Sequence, residues 1–233
     1  MSESTTGHPT PGHVSLADVF QVRDGLLHLL LWKRAQAPFQ DAWALPGGYL
    51  ERGETLEQSI RKHLAHKVDV RELAHIEQLA TLSDPKRFSL ATAYLGLVPR
   101  DVDPELPDDT RWHAVDSLPR LAFDHGSIVL TGRERLRAKL SYTNLGFALA
   151  PAEFTISELR DLYAAALGHE VSPTNLQRVL LRRDVLVPTG ERRASGPTGG
   201  RPGSLFRFRS RQLEITDQFA VLRPPGPTRV SAA

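Results

Sequence analysis

The chain reads as an α+β protein built from two units, a strand-rich unit with helices and then a smaller unit of helix, helix and hairpin. Three observations predict this. Apolar runs broken by turn dipeptides dominate the early part of the chain. Two segments with strong helix caps follow one another after residue 150. Charge is divided unequally between the two parts.

The 233 residues include 29 basic and 27 acidic side chains, a formal net charge of +2, and 40% are hydrophobic, enough for a core. There is no cysteine, which excludes a disulfide scaffold, thiolate metal sites and a cysteine nucleophile. The longest apolar run, around Leu26 to Trp32, is far below the roughly 20 residues of a membrane helix, so no membrane partner is expected. The start is polar and lacks the apolar stretch of a signal peptide, which predicts a cytoplasmic protein. Residues 1–13 read as a frayed tail, 14–147 as the first unit, 148–223 as the second, and the Pro-rich 224–233 as a disordered end.

In chain order, Val14–Val22 and Leu26–Leu31 are strands, and Asp24-Gly25 between them is a hairpin signal. Ala42–Leu50 is apolar with a Pro-Gly-Gly break. Thr55–Val68 is helical, because Leu56, Ile60, Leu64 and Val68 fall four apart on one face. Leu73–Ser83 and Phe88–Val98 are strands around Asp84-Pro85-Lys86-Arg87. A short strand at Trp112–Val115 precedes a helix over Gly126–Lys139 that is placed to couple the two units. Thr155–Leu167 is an amphipathic helix that Thr155 or Ser157 can cap and Gly168 ends. Ser172–Arg183 is a second helix, with Ser172 as N-cap and Pro173 in the first helical position. Val185–Val187 and Leu205–Arg209 then flank a Gly/Pro-rich basic loop, predicting a hairpin. Helix, turn, helix and hairpin is the order of a winged helix-turn-helix.

Beyond Phe147 there are twelve arginines, no lysine and eight acidic residues, and up to it there are 17 basic and 19 acidic residues. Between Leu176 and Arg211 nine arginines face only Asp184 and Glu191. That is the footprint of a binder of phosphate backbone, although an ordinary solvated face would also carry it. On the second helix, Leu176, Val179, Leu180 and Leu181 are expected to pack inward. Thr174, Asn175, Gln177 and Arg178 are expected to face bases, Asn and Gln suiting adenine and Arg suiting guanine. Arg182, Arg183, Arg192, Arg193 and Arg201 suit phosphates or a minor groove entered by the wing. The alternative is a winged helix used for protein contacts.

The segment from Gly48 to Val70 reads GYLERGETLEQSIRKHLAHKVDV. It resembles the box of the Nudix family, which is Gly, five residues, Glu, seven residues, then Arg-Glu-apolar-x-Glu-Glu-x-Gly-apolar. Gly48, Glu54, Leu64 and Val70 match; Lys62 stands at the Arg, His63, His66 and Lys67 at the three acids, and Asp69 at the late Gly. In the family those glutamates are hard oxygen ligands that hold magnesium or manganese against a pyrophosphate. Imidazole is a poor magnesium ligand and an ammonium repels the ion, so no metal site and no hydrolase is expected. The alternative is a metal-dependent Nudix hydrolase acting on ADP-ribose. The positive charge of Lys62, His63, His66 and Lys67 can instead hold a pyrophosphate directly, unless the lysines are merely solvated or paired with Glu54. Trp43, Gly47 and Gly48 precede or open the box, as packing and turn residues or as backbone that a phosphate approaches closely. Arg34 and Arg87 are further candidate anion contacts.

The degenerate box followed by FTISELRDLY, SPTNLQR and GGRPGSLFRF resembles the Nudix-related transcriptional regulators of NAD metabolism. The resemblance implies a Nudix-like α/β/α sandwich joined to a winged helix-turn-helix. It implies a homodimeric repressor of NAD biosynthesis or salvage genes on an inverted-repeat operator in double-stranded DNA. ADP-ribose or a related NAD-derived nucleotide is then the effector, with no cofactor required.

Overall fold

The computed structural model describes residues 12–84, 89–193 and 203–217. The first unit is a seven-stranded mixed sheet with a helix on each face. Strands β1 (Gly12–Arg23) and β2 (Leu26–Lys33) form the predicted hairpin. Asp24 and Gly25 have φ of 48° and 75°, and positive φ at both central positions is the turn whose twist matches that of the strands. β3 (Trp43–Ala44) pairs with β2, and β4 (Gly47–Tyr49) pairs with β1. β5 (His75–Asp84) and β6 (Ser89–Leu97) are antiparallel, β6 runs parallel to β1, and β7 (Thr110–Ala114) adds to β2.

Alternation along β1 sorts its side chains between the two helices. Ala17 and Val19 face helix α1 (Leu56–Lys67) with its buried Ile60 and Leu64. Leu16 and Phe20 face helix α2 (His125–Tyr142) with Ile128, Val129, Leu136 and Leu140. Asp18 is the exception on that second face. It is fully buried against Gly132, has no hydrogen-bond partner among the described residues, and burial raises its carboxyl well above the usual range. Glu77 of β5 ties α2 to the sheet by pairing with Lys139 and Arg135. Burial pushes the Glu77 carboxyl up, but hydrogen bonds from His75 and Lys139 outweigh it and hold the group at about 2.

The chain enters the second unit through Leu145–Ala150, which is buried throughout, so the predicted boundary at Phe147 falls inside a packed turn. β8 (Phe154–Thr155), α3 (Ile156–Leu167), α4 (Pro173–Arg182), β9 (Leu186–Arg193) and β10 (Gly203–Phe208) follow. β8 pairs with β10, making the hairpin three-stranded. Thr155 caps α3 in a reciprocal pair with Glu158, and Gly168 ends it in the left-handed region. Ser172 caps α4, with Pro173 in its first turn. Phe147, Phe154, Leu159, Leu162, Leu176, Leu180, Phe206 and Phe208 form the core here, and it is continuous with Leu29, Leu136 and Leu140 of the first unit. Leu181 corrects the sequence reading. It is 39% exposed, because Leu176 and Leu180 already fill the inward face of so short a helix.

Candidate functional site

The first candidate site forms where α1 meets the Pro46-Gly47-Gly48 turn. Thr55 caps α1 in a reciprocal pair with Gln58, which fixes how the box residues project. The box cations do not act as one group. Lys62 lies 2.9 Å from both Glu51 and Glu54, and Glu54 also accepts the Glu51 backbone N–H at 2.6 Å. The hydrogen bonds from the Glu51 backbone and from Lys62 hold the Glu54 carboxyl below its usual range, and the bonds to the Glu51 and then the Glu54 side chains raise the pKa of Lys62. Lys62 is therefore the paired lysine of the two alternatives. The His63 ring packs on Gly48, where a Cβ would come within 2.5 Å of it, and its Nε2 is 3.0 Å from the Tyr49 carbonyl. The His63 ring is thus seated on the Gly48 backbone, and a side chain at position 48 would displace it. At Gly47 a Cβ would overlap the Ser15 carbonyl at 2.0 Å. His66 is exposed.

Lys67 is different. Its ammonium donates to the Gly47 carbonyl at 2.7 Å and lies 4.8 Å from the centre of the Trp32 ring. Burial and then the neighbouring charge of Arg34 lower its pKa. Arg34 in turn stacks 4.8 Å over Phe123 and donates from Nε to the Pro38 carbonyl. Phe123 leads into a cavity of about 680 Å³ lined by Phe39, Ala42, Asp84, Arg120, Leu121, Phe123 and Asp124. The Phe39 and Phe123 rings meet edge to face at 4.8 Å, and both residues hold positive φ, of 64° and 53°. His125 opens α2 beside them. Its Nδ1 accepts the Leu45 N–H at 3.0 Å, and burial followed by the Arg34 charge lowers its pKa to about 4, so the ring is neutral.

The structure therefore brings Gly47, Gly48, Glu54, Lys62, His63 and Lys67 together and reaches Arg34 through Lys67. Trp43 is half-buried beside His113 and Lys33. Its carbonyl accepts the Ala122 N–H at 2.8 Å, next to the cavity wall. Arg87 lies outside the described residues. Sequence reasoning did not single out Phe39, Arg120, Phe123 or His125, which stand in loops or at a helix start with no motif around them.

The second candidate site is the outward face of α4. Thr174, Asn175, Arg178, Leu181 and Arg182 are exposed and Gln177 is partly so. Arg178 donates to the Asn175 side chain at 2.7 Å, so these two form one polar unit. Arg192 is exposed on β9, and Arg193 pairs with Glu158 at the start of α3. Arg201 lies outside the described residues. Arg183 does not share the outward face. It is engaged with the Ser141 carbonyl and with Asp217, which removes it from the predicted phosphate contacts.

Residues 12–131 match the NUDIX domain model, and residues 146–208 match the model of the NrtR DNA-binding winged helix domain. NrtR of Shewanella oneidensis, solved in complex with a 27mer DNA, is 31% identical, with a TM-score of 0.73 over 84% of this chain and 93% of that one. The chain belongs to the NrtR family. A curated relative is the ADPR responsive transcriptional repressor NtrR of Acinetobacter baylyi, 28% identical over 212 residues, which are 86% of this chain and 83% of that protein. The ADP-ribose pyrophosphatase of Methanocaldococcus jannaschii is 28% identical over 120 residues, 46% of this chain and 68% of the enzyme. The NrtR winged-helix match ends at Phe208, before the segment that carries Asp217.

Nudix hydrolysis needs a divalent cation, and the box residues of this NrtR-family chain do not fit one. Glu54 is already bonded to Lys62 and the Glu51 backbone, and the neighbouring box positions present imidazoles and an ammonium. Among the described residues no group of three His, Cys, Asp or Glu side chains is placed to hold a metal ion. No described helix is long and apolar enough to cross a membrane.

Proposed function

We propose that this NrtR-family chain is a cytoplasmic, homodimeric repressor of NAD biosynthesis or salvage genes, and that ADP-ribose or a related NAD-derived nucleotide alters its affinity for DNA. The observation that carries this reading is the sensor-like unit and the winged helix sharing one core, in a chain similar over most of its length to a protein solved on DNA. The pyrophosphate is held without metal by Lys67 and Arg34, and the cavity beside Phe39 and Phe123 receives the base or the distal ribose. Charge-assisted contacts to a pyrophosphate substitute for the ion in binding, but they generate no nucleophile, so the unit binds and does not hydrolyse. α4 enters the major groove with Thr174, Asn175, Gln177 and Arg178 toward base edges, and Arg182 and Arg192 toward phosphates. In a symmetric dimer the two heads meet inverted half-sites about 34–36 Å apart per helical turn or a multiple of it.

The test is a titration of ADP-ribose in EDTA, followed by gel shifts on the chain's own and NAD-gene promoters with and without the nucleotide. ADP-ribose binds in EDTA, and its effect on DNA affinity equals the effect of DNA on its own affinity. Loss of binding in EDTA overturns the metal-free site. Independent binding of the two ligands overturns the sensing model. Magnesium-dependent release of phosphate products from ADP-ribose would establish the hydrolase instead.

A further inference from the structure

α2 runs from the cavity to the reading head. Phe123 and Asp124 line the cavity immediately before its first residue, His125, and its 18 residues cover about 27 Å. At its far end the last carbonyls lack partners within the helix, as at any helix C-terminus. Arg183, the C-cap of α4, takes one of them by donating from Nη1 to the Ser141 carbonyl at 2.7 Å. Its Nη2 donates to Asp217 at 2.5 Å, and both side chains are only 16% exposed. The segment after β10 delivers Asp217 to this place. Asn144 donates to the Gln212 carbonyl at 2.8 Å and accepts the Glu214 N–H at 2.8 Å. The N–H groups of Thr216 and Asp217 then reach the Tyr142 carbonyl at 2.9 and 3.1 Å. The positive guanidinium at the negative end of α2 adds a favourable dipole interaction.

We infer that Arg183 is the joint fixing the angle of the reading helix α4 to the lever α2, so that a shift of α2 begun at the cavity reaches DNA through this side chain. The planar guanidinium holds the carbonyl and the carboxylate from two separate nitrogens in a fixed fork, a geometry that the single nitrogen of an ammonium does not reproduce. The inference rests on the sensing reading above.

Arg183→Ala, Arg183→Lys, Asp217→Asn and Arg182→Ala are compared in the full chain, on a duplex carrying its footprinted genomic site. Two quantities are read: the slope of log affinity against log salt, and the factor by which ADP-ribose changes DNA affinity. Loss of a phosphate contact lowers the slope by about one. Arg182→Ala does so and keeps the ADP-ribose factor. Arg183→Ala, Arg183→Lys and Asp217→Asn keep the slope and the affinity for ADP-ribose without DNA, while the factor falls to within twofold of one. Asp217→Asn and Arg183→Lys leave the core intact and decide the matter if Arg183→Ala fails to fold. A slope lowered by about one in the Arg183 variants makes the residue a phosphate contact and overturns the inference, as does an unchanged factor in all three joint variants. If ADP-ribose leaves DNA binding by the parent chain unchanged, the sensing reading fails, and the joint, having no shift to transmit, fails with it.

Discussion

The position that carries a metal-binding glutamate in the Nudix box here carries the Lys67 ammonium, held by a carbonyl and an indole face, its pKa lowered by burial and then by the charge of Arg34. Two like charges kept together in a half-buried place are costly until an anion joins them. Lys67→Met keeps the apolar stem and removes the charge. A charge-assisted contact contributes about 1.5–3 kcal/mol, so ADP-ribose affinity falls roughly 10- to 100-fold by calorimetry in EDTA. An unchanged affinity would place the pyrophosphate elsewhere. Spacing marked Lys62, His63 and Lys67 equally, and only the fold separates them. Lys62 meets Glu51 and Glu54 across the box turn, and His63 lies over Gly48. Those pairings arise from how the turn folds back on α1, which periodicity does not encode.

At the scale of the element, the helices of the reading head were the most legible parts of the chain. Their caps are local chemistry: Gly168 and Ser172 before Pro173 stand where the sequence placed them, and of the two candidates Thr155 and Ser157 it is Thr155 that caps α3, with Glu158 completing the pair. The wing-side hairpin was legible from its strands, but its third strand, β8, is a two-residue partner with no pattern of its own. Leu181 was misread because its apolar character suggests burial, and only the packing of α4 on α3 shows that the inward face is already filled. The outward face carries the base-reading prediction. Arg178→Ala relaxes the preference at one operator position by about 1–3 kcal/mol, seen as a loss of discrimination in competition gel shifts against single-base variants. A uniform loss on every sequence would instead make Arg178 a backbone contact.

At the scale of the molecule, the two units share one buried cluster and are expected to unfold together. Much of that integration depends on contacts far apart in sequence, such as Arg183 with the Ser141 carbonyl and Asn144 with the Gln212 carbonyl, which no local signal announces. His125 gives the whole structure a pH dependence. Its folded pKa is lowered from 6.5 to about 4, so its contribution is complete above pH 6.5. Below that the unfolded chain takes up the proton first, and stability falls until the folded ring also titrates near pH 4, a loss of about 3 kcal/mol in all. Urea titrations from pH 7 to 4 show this fall. His125→Asn, which keeps an acceptor for Leu45, shows a smaller one, and an equal slope in both chains would assign the dependence to other groups.

The segment that returns from the hairpin has a consequence for how such a molecule can be assembled. Thr143, just after α2, pairs with Ile215, in the segment that follows β10. A module whose entrance and exit adjoin is portable: it can be spliced between neighbouring points of a host without stretching either chain. The boundary of such a graft is set by the buried turn. Leu145–Ala150 must travel with the head, because its side chains complete the head's interior. A transplanted head would thus bring a piece of its former host with it, and its new host must offer a helix end for Arg183 to grip.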